Sequence, residues 1–586
     1  MPPHETSFPN KQKLIREFKY LFSKSQSMAK RTPFSMILMA NYLNRLGFID
    51  YINDHVSWDP EKCKYSPGIL AQLLVLSPFI SFHKKIALYS LPTAYAKMDL
   101  EVVTGYQYDP ITNQKIESTE LNDDLFARLL DRISHYGCEK LFYDLAIRVR
   151  CIFSLPENYI LHVDTTSHVL YGRYPESDEN SSLYITYGHS KEKRPDLKQI
   201  MTGAVTDGDG LPLFATALNG NTADCSFNEV TISLLKSVFG PELRNHVYIA
   251  DSKLVTKPNV LALMQGESPP SFASRVPASF FNKFSETSKR RAYEQNEWED
   301  LGTCCLHPSK HSARYYATTF PVTVYGFDMY VHVYKTTEKR EKIEKKVKKE
   351  EEKLATDIKE LGKKEFFCEA DAVTAMNTFL QSRSDLMVEG ELKVMQEVTL
   401  KKPRGRPSKN PKPPEEIRRW KIVTSGIRRK EDKIKKEIEK ASTFCLLTNV
   451  SPNEQSSEEI LLLYKGQSHV ENLFSVLKQP MMAATIFLEK SERIQALMTL
   501  LYFGVLLHGI LRVISHIELE KEKEPPRWGL EGRKMRRPTS QTMLGILAMF
   551  TLVSIEGTRT IDANHFDMKK DFDKILSVVR FDPEFV

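Results

Sequence analysis

The stretch "YILHVDTTSHVLYG", Tyr159 to Gly172, is rich in β-branched and aromatic residues around a single carboxylate, Asp164. That content predicts a strand rather than a helix. Working outward, "QIMTGAVTD" and "LPLFATALNG" flank the turn "GDG" as a hairpin, "FNEVTISLLKSVFG" predicts a helix ending at Gly240, and "HVYIAD" predicts a short buried strand ending at Asp251. The order is strand, strand, strand, helix, strand. A mixed sheet with its first and fourth strands side by side satisfies that order, and it brings Asp164 and Asp251 to one sheet edge.

That is the opening of an RNase H-like fold, and such a site asks for a third acid. "YKGQSHVENLFSVLKQ", Tyr464 to Gln479, supplies one: Tyr464, Gln467, Glu471 and Lys478 stand at offsets of three, four and seven, a single stripe if one helix carries them. Val470, Leu473, Phe474 and Leu477 form the apolar face beside it. Alone, this is an amphipathic helix with a charge pair on its wet side. With Asp164 and Asp251 it becomes a three-carboxylate constellation. Three such groups repel unless cations neutralise them, and oxygen-only ligands suit Mg²⁺, or Mn²⁺ as a substitute. Two ions about 4 Å apart activate a water or a 3′-hydroxyl and stabilise the leaving oxygen of a phosphodiester. The implied chemistry is phosphoryl transfer on DNA.

The rest of the chain frames that core. The expected class is α/β, in the α+β multidomain sense, with residues 1–155 a helical domain that binds DNA ends or merely packs. Residues 156–277 hold Asp164 and Asp251, 278–440 form a β-rich and helical insertion, 441–515 return to the core with Glu471, and 516–586 form a helical tail available for oligomerisation. The charged runs of the insertion are expected as solvated helices. Its loop "KKPRGRPSKNPK", Lys401 to Lys412, has no acid, and its "PRGRP" resembles an AT-hook fitted to a narrow A·T minor groove. That reading makes Lys401, Lys402, Arg404 and Arg406 DNA contacts, and a solvated linker is the alternative. "CCLHPSKH", Cys304 to His311, has no common zinc spacing. A net charge of +7 over 586 residues decides little. Eight cysteines without repeated spacing and no basic-then-apolar leader point to the cytoplasm. The apolar run Ala496 to Ile514 is interrupted by Gly504, His508, Gly509 and Arg512, so it is expected as a buried core helix, with no membrane partner.

These fragments together resemble the DDE transposases of bacterial insertion sequences, in the group with a Tyr-x2-Arg-x3-Glu-x6-Lys signature. Here the signature is Tyr464-x2-Gln467-x3-Glu471-x6-Lys478, and "YGHSKEKRPDLKQIMTGAVTDGDGLPL", "GNTADCSFNEV", "YIADSKLV" and "FCLLTNV" follow the same family in order. The resemblance implies Asp164, Asp251 and Glu471 as catalytic metal ligands, with Tyr464, Gln467 and Lys478 as DNA contacts. Glutamine stands where the family has arginine, which loses a charge on phosphate. The family's insertion carries a tryptophan that stacks on a base, a role open to Trp298 or Trp420. His162, on the Asp164 side of its strand, either orients the site or is structural. Arg194 and Lys198 lie in a basic loop that touches DNA or is merely solvated. The implied function is binding of terminal inverted repeats, 3′-end cleavage and joining to target DNA, with a homodimer in the synaptic complex of a prokaryotic, nucleoid-associated protein. A catalytically inactive DNA-binding derivative and a metal-dependent nuclease of the same fold are the alternatives.

Overall fold

The computed structural model describes residues 29–585 apart from 82–84, 176, 267–268, 278–283, 305–312, 338, 402–415, 484–485, 529–532, 556 and 564–568. The chain is mixed α/β and forms two compact units, one from residues 1–272 and 466–586 and the other from 273–465.

In the larger unit four strands lie in the order Pro212–Leu218, Lys198–Asp207, Ile160–Leu170, Val247–Ala250. The first two contacts are antiparallel and the last is parallel. The hairpin turns at Asp207–Gly210, where Asp207 Oδ1 accepts the Asp209 and Leu211 N–H groups and Gly210 takes a positive φ of 76°. Arg150, from the preceding helical region, donates to Asp207 at 2.5 Å and to Asp209 at 2.7 Å. Burial pushes the Asp207 carboxyl up to about 6 while Arg150 pulls it down.

The helices Phe34–Arg45, Pro67–Leu76, Asp123–Tyr136 and Cys138–Ala146 share one core with the helix Ser491–Lys521. Asn122 caps the third of these, accepting the Leu125 N–H at 2.9 Å. The Ser491–Lys521 helix is long and apolar enough to cross a membrane, yet 94% of its apolar window is buried inside the protein. The C-terminal segment differs from the expected helical tail. It contains a hairpin, Phe550–Ile555 with Thr558–Ala563, whose first strand also pairs with Lys30–Pro33. Tyr42 donates its hydroxyl to the Val579 carbonyl at 2.5 Å, so this end of the chain closes the N-terminal helical core.

The smaller unit has one antiparallel sheet in the order Ser271–Arg275, Thr443–Thr448, Phe327–Thr336, Tyr315–Val324, Glu299–Gly302. A second sheet orders Glu365–Phe366, Glu416–Arg429, Val388–Leu400. Its helix Lys339–Leu361 is not simply solvated: Ile343, Val347, Leu354 and Ile358 form an apolar stripe packed with Met387, Val388 and Ile434. Lysine and glutamate dominate the run and conceal that stripe, because only one residue in three or four needs to be apolar to bury a face.

Candidate active site

The parallel pairing sets Val163 opposite Ala250, so the next residue of each strand, Asp164 and Asp251, comes level at the sheet edge. Asp164 Oδ1 accepts the Thr165 N–H at 2.7 Å, and Asp251 Oδ1 accepts the Lys253 N–H at 2.9 Å. Burial raises the Asp164 carboxyl to about 6, with Asp251 and Asp224 adding to the rise and Lys191 opposing it. Asp251 is also raised, first by burial and then by Asp224.

Asp224 and Lys191 are absent from the sequence reading. Asp224 opens the helix Asp224–Phe239 and accepts the Thr165 hydroxyl at 2.5 Å. Lys191 Nζ donates to the Thr165 carbonyl at 2.7 Å and to its hydroxyl at 3.0 Å. It stands 3.5 Å from Asp224 and 3.9 Å from Asp164. The signal was present in two glycines. A Cβ on Gly188 would collide with the Gly220 carbonyl, and one on Gly220 with the Gln199 carbonyl. Only bare backbones let the "YGHSK" and "GNTAD" loops approach so closely, and that approach delivers Lys191 and Asp224 to one place.

The stripe containing Glu471 is corrected. The segment is two helices, Ser457–Lys465 and Ser468–Leu477, interrupted at Gly466 and Gln467, and Lys478 is the C-cap of the second. Glycine in a helix interior costs about 1 kcal/mol against alanine, so Gly466 is where an interruption imposed by the surrounding fold costs least. Tyr464 therefore sits half-buried on the first helix, within the smaller unit. Val470, Leu473, Phe474 and Leu477 are buried as the pattern expected.

Gln467 is 8% exposed, and its amide donates to the Val163 carbonyl at 2.8 Å. It ties the Glu471 helix to the Asp164 strand instead of reaching outward, so the expected DNA contact is replaced by an internal one. His162 is buried beside it. Burial holds its imidazole down at about 3, with His469 adding to the depression, and the His162 and His469 rings meet edge to face at 6.0 Å. Glu471 is exposed, one helical turn beyond Gln467. Lys478 pairs with Glu192 at 3.1 Å.

The structure thus brings Asp164, Asp251 and Asp224 into electrostatic range. Among the described residues no group of three His, Cys, Asp or Glu side chains stands ready-made to hold a metal ion. The donor chemistry of Asp164 and Asp251 still fits a hard divalent cation. Both are oxygen donors, and burial with a like charge opposes their ionisation, a cost that a cation relieves.

The other expected contacts have partners of their own. Trp298 packs edge to face on Tyr293 at 5.4 Å beneath the Lys335 ammonium, and Trp420 sits in the strand Glu416–Arg429 opposite Gln396 and Phe366. Lys401 is exposed at the end of the strand Val388–Leu400, while Lys402, Arg404 and Arg406 lie outside the described residues, as do Cys305 to His311. Arg194 is engaged by Asp196 at 2.7 Å, and Lys198 donates to the Arg173 carbonyl at 2.9 Å.

Two family models match the chain. Residues 35–147 match a domain of unknown function (DUF4277), and residues 158–507 match the Transposase DDE domain, a span that includes Asp164, Asp251 and Glu471. No curated protein sequence matches. Among solved structures, the chain is similar to the piggyBac transposase determined by cryo-EM as a synaptic complex with hairpin DNA. The TM-score is 0.36 and the identity 9%, over 88% of this chain and 79% of that one.

Proposed function

The chain belongs to the Transposase DDE domain family, and from that premise we propose that it binds the terminal inverted repeats of a bacterial insertion sequence, cleaves their 3′ ends and joins them to target DNA. The observation that carries the reading is the level placement of Asp164 and Asp251 on neighbouring parallel strands, both held above the usual carboxylate range. Perturbed acids paired at a sheet edge are a marker of function. The RNase H-like description of the sheet and membership of the Tyr-Arg-Glu-Lys group are parts of the same proposal.

Two Mg²⁺ ions, or Mn²⁺ in their place, would supply Lewis-acid activation of the attacking and leaving oxygens. Asp164 and Asp251 are the residues that would hold them, with Glu471 as the third ligand brought in from its helix. The Gln467 amide fixes where that helix begins relative to the Asp164 strand. Lys478 would contact DNA phosphate as a point charge, and Tyr464 would contribute from the preceding helix. Water and a DNA 3′-hydroxyl attack in the same geometry, so one site serves cleavage and joining. The remaining proposals are base stacking by Trp298 or Trp420, minor-groove contact by Lys401, Lys402, Arg404 and Arg406, a homodimeric synaptic complex and a cytoplasmic, nucleoid-associated location.

The test is cleavage and joining by the purified protein on labelled DNA spanning both flanks of its own gene, beside Asp251→Asn. Specific 3′ nicks and joined products with Mg²⁺ or Mn²⁺, lost in the variant, are the expected result. Binding without cutting by either protein would instead identify an inactive DNA-binding derivative. Cutting everywhere without joining would identify a nuclease.

A further inference from the structure

Two consecutive residues of one turn reach both charged parts of the site. Lys191 places its ammonium 3.9 Å from Asp164 and 3.5 Å from Asp224, and Glu192 places its carboxylate 3.1 Å from Lys478. The turn carrying them is anchored. The Lys191 N–H donates to the Ser167 hydroxyl at 3.0 Å, the Lys193 N–H bonds the Ser190 carbonyl at 3.2 Å, and Lys193 takes a positive φ of 58°. Lys191 is further held by the Thr165 carbonyl and hydroxyl, and Thr165 is in turn bonded to Asp224. Adjacent side chains of opposite sign therefore have fixed and different targets, which a freely solvated basic loop would not provide. Each of the two pairs is about one-third exposed or less, with side-chain exposures of 33% and 21% for Lys191 and Asp164 and 30% each for Lys478 and Glu192. Incoming ligands can reach both.

We propose that Lys191 and Glu192 are positioning residues that hold Asp164 and Lys478 in the unloaded site and yield them to a divalent cation and a DNA phosphate respectively. This rests on the transposase reading, in which Asp164 is a metal ligand and Lys478 a phosphate contact. The ammonium of Lys191 is a resident counter-charge to the acid edge. The carboxylate of Glu192 occupies the position a phosphate oxygen takes on Lys478. Both contacts compete with loading, and both keep the side chain they hold from swinging away before loading occurs.

The experiment uses the full-length protein and two binding measurements without turnover. Mn²⁺ binding is followed by electron paramagnetic resonance in the absence of DNA, and binding of labelled duplex from the flanks of its own gene is followed in EDTA across a salt series. Lys191→Met is expected to bind Mn²⁺ roughly two- to fivefold more tightly, the scale of a partly exposed ion pair, and to cleave more slowly at saturating Mn²⁺. Lys191→Arg, which keeps the charge, is expected to retain wild-type Mn²⁺ affinity. Glu192→Gln is expected to leave Mn²⁺ binding unchanged, to bind DNA more tightly by a similar factor, and to steepen the logarithmic salt dependence by about one. A merely structural role would weaken both kinds of binding together, and thermal melts of each variant identify misfolding. Unchanged or weaker Mn²⁺ binding by folded Lys191→Met, or unchanged DNA binding by folded Glu192→Gln, overturns the inference while wild-type cleavage still upholds the transposase reading. If wild type and Lys191→Met both fail to bind Mn²⁺ and wild type fails to cut, that reading falls and this inference with it.

Discussion

The strand Ile160–Leu170 and the strand Glu416–Arg429 are both long and both carry charge, yet they treat it in opposite ways. In the first almost every residue is buried, and its one carboxylate is desolvated, raised to about 6 and surrounded by Lys191, Asp224 and Asp251. In the second only Ile422 is buried, half of the residues are exposed, and the charges are matched locally, Arg428 to Glu389 and Lys421 to Glu397 at 2.5 Å. Counting Lys and Arg would select the second strand as the working surface. Burial selects the first, because a carboxylate kept where ionisation is opposed must be compensated by something, whereas a solvated ion pair contributes little.

The sharpest way to break that contrast is to neutralise a charge on each side. Asp251→Asn should lower metal-dependent strand cleavage by at least about a hundredfold with no loss of melting temperature, whereas Arg428→Ala should leave both cleavage and melting unchanged. A large cleavage defect in Arg428→Ala would move the working surface to the smaller unit.

Next in size, Leu354→Ala, in the concealed stripe of the charged helix, should destabilise the smaller unit by about 2–5 kcal/mol. The expected readout is loss of hydrogen-exchange protection within residues 273–465, with protection of the Asp164 strand retained.

Gln467→Leu removes the donor from the Val163 carbonyl and should cost about 1–3 kcal/mol of stability. Its slope of DNA affinity against salt should stay that of wild type, since Gln467 faces inward. A shallower slope would restore the outward-facing role expected from the signature.

The smallest effect is on pH. Burial holds His162 and His168 at about 3 and, foremost among the influences on them, His508 and His516 at about 4. The stabilising effect of keeping these imidazoles neutral is complete above their unfolded pKa near 6.5 and is lost as pH falls toward 4. Asp164 and Asp207, raised to about 6, work in the opposite direction over part of that range. His332, also held at about 4 by burial, joins the imidazoles, and Asp251, also raised, joins the acids; five groups outweigh three, so the melting temperature should fall on acidification from pH 6.5 to 4. A scan of thermal melts across that range checks it, and a rise would mean the acids dominate.

The order of strands around Asp164 and Asp251 was legible because alternation and short turns are local properties, and the apolar face Val470, Leu473, Phe474, Leu477 was legible for the same reason. The break at Gly466 was not, because a single glycine costs too little to overrule a helical pattern on sight. Asp224, Lys191 and Glu192 escaped notice because their meeting depends on Gly188 and Gly220 approaching across separate loops. Gln467 was read outward because an offset places a residue on a stripe without saying which way that stripe faces. The C-terminal hairpin is not legible as a sheet because its first strand also pairs with Lys30–Pro33, remote in sequence.

The larger unit is discontinuous, and that has a consequence for when the protein can act. During synthesis, Asp164 and Asp251 emerge before all of residues 273–465, while Glu471 and the Ser491–Lys521 helix that completes their hydrophobic core emerge afterwards. At ordinary elongation rates of about 5–20 residues per second, roughly ten seconds or more separate the two halves. Through that interval the first half has apolar surface awaiting its partner, and Glu471, the proposed third acid, has not yet been made. If Glu471 completes the acid set as proposed, a nascent chain cannot cut DNA until the residues around Glu471 have left the ribosome.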